Sequence, residues 1–450
     1  MSEETKDFIP FIDKPRTSCA LGGALAAISA LPDVIPIIHT AGGCGGNLMN
    51  SVALGAGYLG GSYCSGSAAP SSAITETEIV FGGNDRLREQ IASTLKLIDG
   101  KLFIVATGCM TEMIGDDAEG AVSEFADDGS PVIAISTPSF KGDSYAGYEI
   151  LLDGIFNKWL RKSGETNPKL VNVFGIVPGY DPFFRGDLEE IERIGARLGL
   201  TVNTFFSPTQ VFDNITAAPS AALNIIFSRT RCRAFAEKFE ERFSTPFWVT
   251  DLPIGPEATD NFIRELSAKL NVENSLAQNV IESENKWYYR YFERTVDSYA
   301  DGELRHYGVT VTNSNYAIPL NKYLYRELGW VPADAFVTDT LTEDQQNALS
   351  EGFAELPIKP QFNGSALSIE RAISHNHPEF RGERYFNSLT PMYIVGSVYE
   401  KQTAVKRGAK HLAVSFPAFD RVIVSNGYAG FRGGLRLYED LIGKVMGIKG

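Results

Sequence analysis

Short apolar runs of strand length alternate along this chain with segments whose apolar positions recur at helical spacing. Val34–His39, residues 102–106 and Val132–Ser136 are three early runs of this kind. Residues 170–177 form another, followed by residues 186–200, where Leu188, Ile191, Ile194 and Leu198 mark one helical face and acidic residues come early. Residues 222–227 precede the helical pattern Arg233–Phe243, and residues 307–311, 392–395 and 411–415 read as further short strands. Strands that alternate with helices build parallel sheets covered on both faces. Sites in such sheets lie past the carboxyl ends of the strands. The fold class expected is therefore α/β, built on parallel sheets.

At 450 residues the chain is too long for one core and is expected to divide into two or three domains. The polar stretch 161–169, with its Gly and Pro, reads as a linker. The aromatic-rich helical pattern 275–299 leads from a second unit to a third. The expected domains are 1–165, 166–300 and 301–450, the last ending in a helix. Hydrophobic content of 44% and charged content of 21% are those of an ordinary globular protein. No apolar run is long enough to span a bilayer. The charged start Met1-Ser2-Glu3-Glu4-Thr5-Lys6-Asp7 lacks the apolar core of a signal peptide, so a cytoplasmic location without membrane contact is expected. A formal charge of −14 with no long basic run argues against a nucleic-acid partner.

The five cysteines are Cys19, Cys44, Cys64, Cys109 and Cys232. An odd count in a long chain without a secretion signal argues against a disulfide framework. Buried packing is the ordinary role of scattered cysteines, but three of these have unusual surroundings. Cys19 opens Cys-Ala-Leu-Gly-Gly, Cys44 lies in His39-Thr-Ala-Gly-Gly-Cys-Gly-Gly, and Cys109 lies in Thr107-Gly-Cys-Met-Thr-Glu-Met-Ile-Gly-Asp-Asp. Cys44 and Cys109 stand beside glycine where a strand is ending. Glycine lets the backbone approach a bulky cluster and leaves amide N–H groups free to donate to it. Three thiolates are one short of the four that a cubane needs, so water, a carboxylate or a second chain must complete the set.

Other motifs carry less. Gly55-Ala-Gly-Tyr-Leu-Gly60 matches G-x-G-x-x-G but follows no strand, which makes it a loop and not a dinucleotide turn. No P-loop sequence is present. His375 and His377 lack nearby partner ligands and read as a surface loop.

The order Cys19, Cys44, Cys109 in these contexts resembles the β subunit of the nitrogenase catalytic component, component 1. So does Ser136-Thr-Pro-Ser-Phe-Lys-Gly142, and Phe416-Pro-Ala-Phe-Asp-Arg421 with Gly427-Tyr-Ala-Gly430 is similar to the family's closing motif. The resemblance implies three Rossmann-like parallel-sheet β/α domains and an α2β2 heterotetramer with an α-like catalytic subunit. It implies an eight-iron P-cluster at each αβ interface, with Cys19, Cys44 and Cys109 as ligands. Ser139 matches a serine that coordinates the oxidised cluster in some members. Glu76 and Phe81 match the surface on which a homodimeric, ATP-binding iron protein docks. Ser228 stands at the position of the α subunit's cofactor cysteine, so the active-site cofactor is expected in the partner. Cys232 is then expected in packing, and Cys64 has no assigned role.

Two departures refine the resemblance. Thr-Ala-Gly-Gly-Cys-Gly-Gly replaces the usual loop at the second cysteine, and Cys19-Ala-Leu-Gly replaces Cys-Gln-Pro. They point to a nitrogenase-like reductase such as methylthio-alkane reductase, in which electrons relayed by this chain reduce the C–S bond of a small thioether. The alternatives are a dinitrogen-reducing β subunit, a cofactor-assembly scaffold, and a dark protochlorophyllide reductase type with a 4Fe-4S cluster.

Overall fold

The protein is described by a computed structural model over residues 14–57, 69–161, 164–295, 306–377 and 392–446. Its strands lie in three sheets, and every pairing in them is parallel. The first holds β1 (Val34–His39), β2 (Leu102–Thr107) and β3 (Val132–Ser136), in that order. The second holds β4 (Asn167–Phe174), β5 (Thr201–Asn203), β6 (Ala221–Ile226) and β7 (Phe247–Val249), ordered β5-β4-β6-β7. The third holds β8 (Tyr307–Thr312), β9 (Val331–Val337), β10 (Pro360–Phe362), β11 (Met392–Gly396) and β12 (Lys410–Ala413), ordered β10-β9-β8-β11-β12.

The first sheet shows why its strands read as unbroken apolar runs. Successive side chains point to opposite faces, and both faces are covered. Phe103 and Val105 of β2 join Ile37, Leu87, Ile91 and Val122 in one core. Leu102, Ile104 and Ala106 join Ile38, Leu25 and Tyr148 in another. Burying each such side chain contributes about 1.5–3 kcal/mol. In the second sheet the core is aromatic: Phe174 meets Phe235 edge-on at 4.9 Å and stacks on Phe205 at 5.1 Å. The final helix, Gly430–Met446, returns to pack on the helices Gly255–Leu270 and Phe184–Arg197 of this second layer.

Several elements differ from the sequence reading. The expected linker already becomes strand at Asn167. The short strands β5, β7 and β10 and the longer β9 were not expected; β9 contains Pro332 and Asp334, which break its apolar pattern. The expected helix 275–299 is Asn274–Phe292 followed by a 3-10 turn, Glu293–Thr295, and its remainder lies outside the described residues. His375 lies in the helix Ala366–Asn376 and not in a loop. His377 is buried and its Nε2–H donates to Asp334 Oδ2 at 2.6 Å. That carboxylate also accepts from Gln361 and Asn376, so the histidine closes a packing network around a buried strand aspartate. Gly55 ends a helix and Gly57 has φ +81°, while Tyr58, Leu59, Gly60 and Cys64 lie outside the described residues. Among the described residues no helix is long and apolar enough to cross a membrane.

Candidate functional site

The carboxyl ends of β1, β2 and β3 are level, because His39 pairs with Thr107 and Thr107 with Ser136. The chain leaving β1 enters the helix Gly42–Gly55, with Cys44 in its first turn. The chain leaving β2 enters the helix Cys109–Ile114. The chain leaving β3 makes the turn Ser139–Lys141. Cys19 precedes the helix Ala20–Ala30 and bridges Asp143, just past that same turn, and Ala20 N–H donates to Gly142 O at 3.0 Å. All three cysteines and Ser139 therefore gather at one edge of one sheet.

Their local contacts are specific. The Cys109 thiol donates to Ser139 Oγ at 3.0 Å, and the Ser139 backbone N–H donates to Cys109 Sγ at 3.1 Å. Cys44 is exposed, while Cys19 and Cys109 are partly covered. Close helix contact sets the place of Cys19. A Cβ on Gly23 would stand 1.8 Å from Ser144 O, and one on Gly147 would stand 1.9 Å from Ala20 O. A Cβ on Gly108 would meet Thr40 Oγ1 at 2.3 Å, so the loops after β1 and β2 touch through that glycine. On the Cys44 loop, by contrast, a Cβ on Gly46 would meet no described atom within 4 Å, and one on Gly43 only Asn47 Nδ2 at 3.9 Å.

Beneath the cysteines lies a polar frame. His39 is fully buried, and its Nε2 is 3.1 Å from Asp116 Oδ2. A carboxylate only accepts, so Nε2 carries the proton and Nδ1 accepts from Ser72 Oγ at 2.9 Å. Burial holds the His39 pKa below its ordinary value, with Asp116 opposing the shift. The Glu112 carboxylate accepts from Thr107 Oγ1 and from Ser136 Oγ, tying the ends of β2 and β3 together. The helix Cys109–Ile114 stops at Gly115, whose φ of +78° suits glycine. The sequence showed His39 and Asp116 only as bystanders in their motifs. A histidine closing an apolar run directly before a Gly-Gly-Cys loop was the available signal, but its partner is remote in sequence.

The donor set fits an iron–sulfur group completed by a second chain. Among the described residues no group of three His, Cys, Asp or Glu side chains closes a metal site within this chain. Cys44 is exposed and Cys19 and Cys109 are only partly covered, and Gly43 and Gly46 leave the Cys44 loop without close neighbours. Thr40 Oγ1, buried against Gly108, has no hydrogen-bond partner. Such an unmet hydroxyl costs about 1–3 kcal/mol, and it offers a spare donor between the Cys44 and Cys109 loops.

The remaining residues sort clearly. Cys232 is fully buried, and burial with Glu149 nearby pushes its thiol pKa well up, as packing requires. Ser228 is buried and bonds within the chain, accepting from Arg231 N–H at 3.2 Å. Glu76 and Phe81 bound a helix, Glu76–Phe81, none of whose residues is buried. Val80 is 72% and Phe81 84% exposed, beside Met113 at 77% from the Cys109 helix.

Along most of its length the chain is similar to known proteins. The β chain of the nitrogenase molybdenum-iron protein from Sinorhizobium fredii is 24% identical over 460 residues, covering 96% of this chain and 83% of that one. The β chain of the nitrogenase vanadium-iron protein from Trichormus variabilis is 30% identical over 278 residues, covering 56% of this chain and 57% of that one. The solved structure of Nitrogenase Cp1 at pH 6.5 has the same fold, with a TM-score of 0.77, 21% identity and coverage of 99% of this chain and 95% of that one. The model of the Nitrogenase component 1 type Oxidoreductase family matches residues 19–446, from the first cysteine of the edge to the last helix, and the chain belongs to that family.

Proposed function

We propose that this chain is the β-like subunit of a nitrogenase-like reductase, and that Cys19, Cys44 and Cys109 hold one side of a P-type iron–sulfur cluster. Molybdenum-iron β chains of the family carry the P-cluster, an 8Fe-7S cluster shared with the α chain. The main support is the common edge: two free thiols past the ends of adjacent strands and a third, Cys19, bridged to Asp143 beyond the turn after β3, with Ser139 already bonded to Cys109. When bound, such a cluster supplies electron transfer between an iron protein and a cofactor-bearing partner.

This chain's own residues have separate tasks. The three thiolates bind. Gly43 and Gly46 allow close approach, and Thr40 Oγ1 is available to donate. Ser139 Oγ stands beside Cys109 as an oxygen donor for an oxidised form. The exposed helix Glu76–Phe81 docks an ATP-binding, homodimeric iron protein. Ser228 and the packed Cys232 leave the active-site cofactor to the α-like partner of an α2β2 assembly, in the cytoplasm. The altered loop around Cys44 favours a small thioether, reduced at its C–S bond, over dinitrogen.

The test is co-expression with the α-like chain and the iron protein. About eight irons per αβ pair at this site support a P-type cluster, and about four support the smaller 4Fe-4S type. Cys44→Ala should remove the cluster's electronic signal and all substrate reduction while the chain stays folded; full activity in that variant would end the reading. Thiol release from a methylthio-alkane, compared with ammonia from dinitrogen, decides the substrate. Cluster transfer to another protein without turnover would instead indicate an assembly scaffold.

A further inference from the structure

The helix Glu76–Phe81 buries none of its residues and touches the Cys109 helix only lightly, so packing alone holds it weakly. It is held from both ends. Before it, Ser72 N–H donates to Ile38 O at 2.9 Å, and Ile74 N–H to Thr40 O at 3.2 Å, on the strand and loop that lead to Cys44. After it, Gly83 N–H donates to Asp116 Oδ1 at 2.8 Å, just past the Gly115 cap of the Cys109 helix. The two attachments meet in one side chain. His39 binds Ser72 Oγ through Nδ1 and Asp116 Oδ2 through Nε2. Its own carbonyl accepts from Gly108 N–H at 3.0 Å and from Thr111 Oγ1 at 2.9 Å, on either side of Cys109.

We infer, on the basis of the docking and cluster roles proposed above, that His39 and Asp116 are positioning residues that fix the exposed helix to the Cys44 and Cys109 loops as one rigid strut. A buried, fully bonded pair transmits displacement because each partner lacks an alternative acceptor or donor. Pressure on the exposed helix is thus delivered to both cysteine loops together and not absorbed by a loose connection. The strut sets the distance and orientation between docked iron protein and thiolates.

Gly83 offers a clean perturbation. Its φ is ordinary at −102°, but a Cβ there would stand 2.5 Å from Asp116 Oδ2 and 3.2 Å from His39 Cε1. Gly83→Ala therefore pries the pair apart without removing a charge or touching a cysteine. Asp116→Asn is the second variant: it keeps the shape and weakens the charged hydrogen bonds. Leu97→Ala, at the exposed far end of the helix Asn84–Leu97, is the control.

Each is made in the intact complex, and turnover is expressed per cluster from iron content. The expected result is a kcat driven by iron protein lowered about tenfold or more in Gly83→Ala, with half-saturating iron protein unchanged. Oxidation of the same cluster by a soluble mediator, which does not dock, keeps the parent rate. Asp116→Asn shows the same split, and it alone carries the test if Gly83→Ala fails to assemble. An unchanged kcat per cluster, or a mediator rate that falls in parallel, overturns the strut. A parent complex without iron overturns the cluster reading and the strut together, so the two failures are told apart before any variant is made.

Discussion

Gly46→Ala puts opposite demands on the isolated chain and on the assembled complex. Gly46 lies within the helix Gly42–Gly55, two residues beyond Cys44, and a methyl there would meet no described atom within 4 Å. Alanine in place of a helical glycine lowers the entropy of the unfolded chain and stabilises by about 0.5–1 kcal/mol. The isolated chain should therefore unfold at a slightly higher urea concentration than its parent. In the complex the same open side is expected to be covered closely by partner or cluster. An extra methyl in a packed interface costs about 1–3 kcal/mol, which weakens association about 5- to 150-fold. Binding of the α-like chain by calorimetry, with iron counted in the product, measures that loss. Gly45→Ala is a useful contrast, since its Cβ would strike Ile38 Cδ1 at 2.7 Å within the chain itself. If Gly46→Ala assembles with parental affinity and full iron, the open side of the Cys44 loop faces solvent and the shared-site argument fails.

Other consequences are also measurable. Arg16 is buried and donates to Glu400, which is also buried; Arg16→Ala leaves that carboxylate unpaired and should cost about 3–5 kcal/mol in urea unfolding. A loss under about 1 kcal/mol would show the pair is dispensable. In the native isolated chain, iodoacetamide at pH 8 should label Cys44 quickly and Cys232 only after unfolding; early labelling of Cys232 would contradict its burial. Asp181 is fully buried and its pKa is raised to about 7, chiefly by burial. Because the folded state holds this proton more tightly than the unfolded state, its contribution is complete below about pH 4 and is lost as pH rises towards 7. Asp181→Asn should flatten the decline in stability between pH 5 and 7, and an unchanged slope would refute the assignment.

The sequence was most readable where one rule governs a segment. β1 and β3 and the helix Arg233–Phe243 have the expected bounds, because an apolar run or a helical stripe there packs into a core. β5, β7 and β10 are each three residues long, too short for a period to appear. β9 was hidden by Pro332 and Asp334, and the aspartate is tolerated because Gln361, Asn376 and His377 come to it from elsewhere in the chain. At the site, glycine-flanked cysteines after strands could be found locally. The link between His39 and Asp116 could not, since only the pairing of β1 with β2 brings the two loops together.

Strand pairing in the first sheet also acts as a gauge for the thiol at Cys109. Its bonding partner, Ser139, hangs from a different strand, and the ladder between β2 and β3, with the Glu112 bridge across their ends, holds the two side by side. A slip of one residue there would carry the serine about 3.3 Å along the strand axis, out of reach of the sulfur. Backbone hydrogen bonds deep in the sheet thus calibrate an atom-to-atom spacing at its rim, and substitutions that loosen β3 should be felt first in sulfur chemistry.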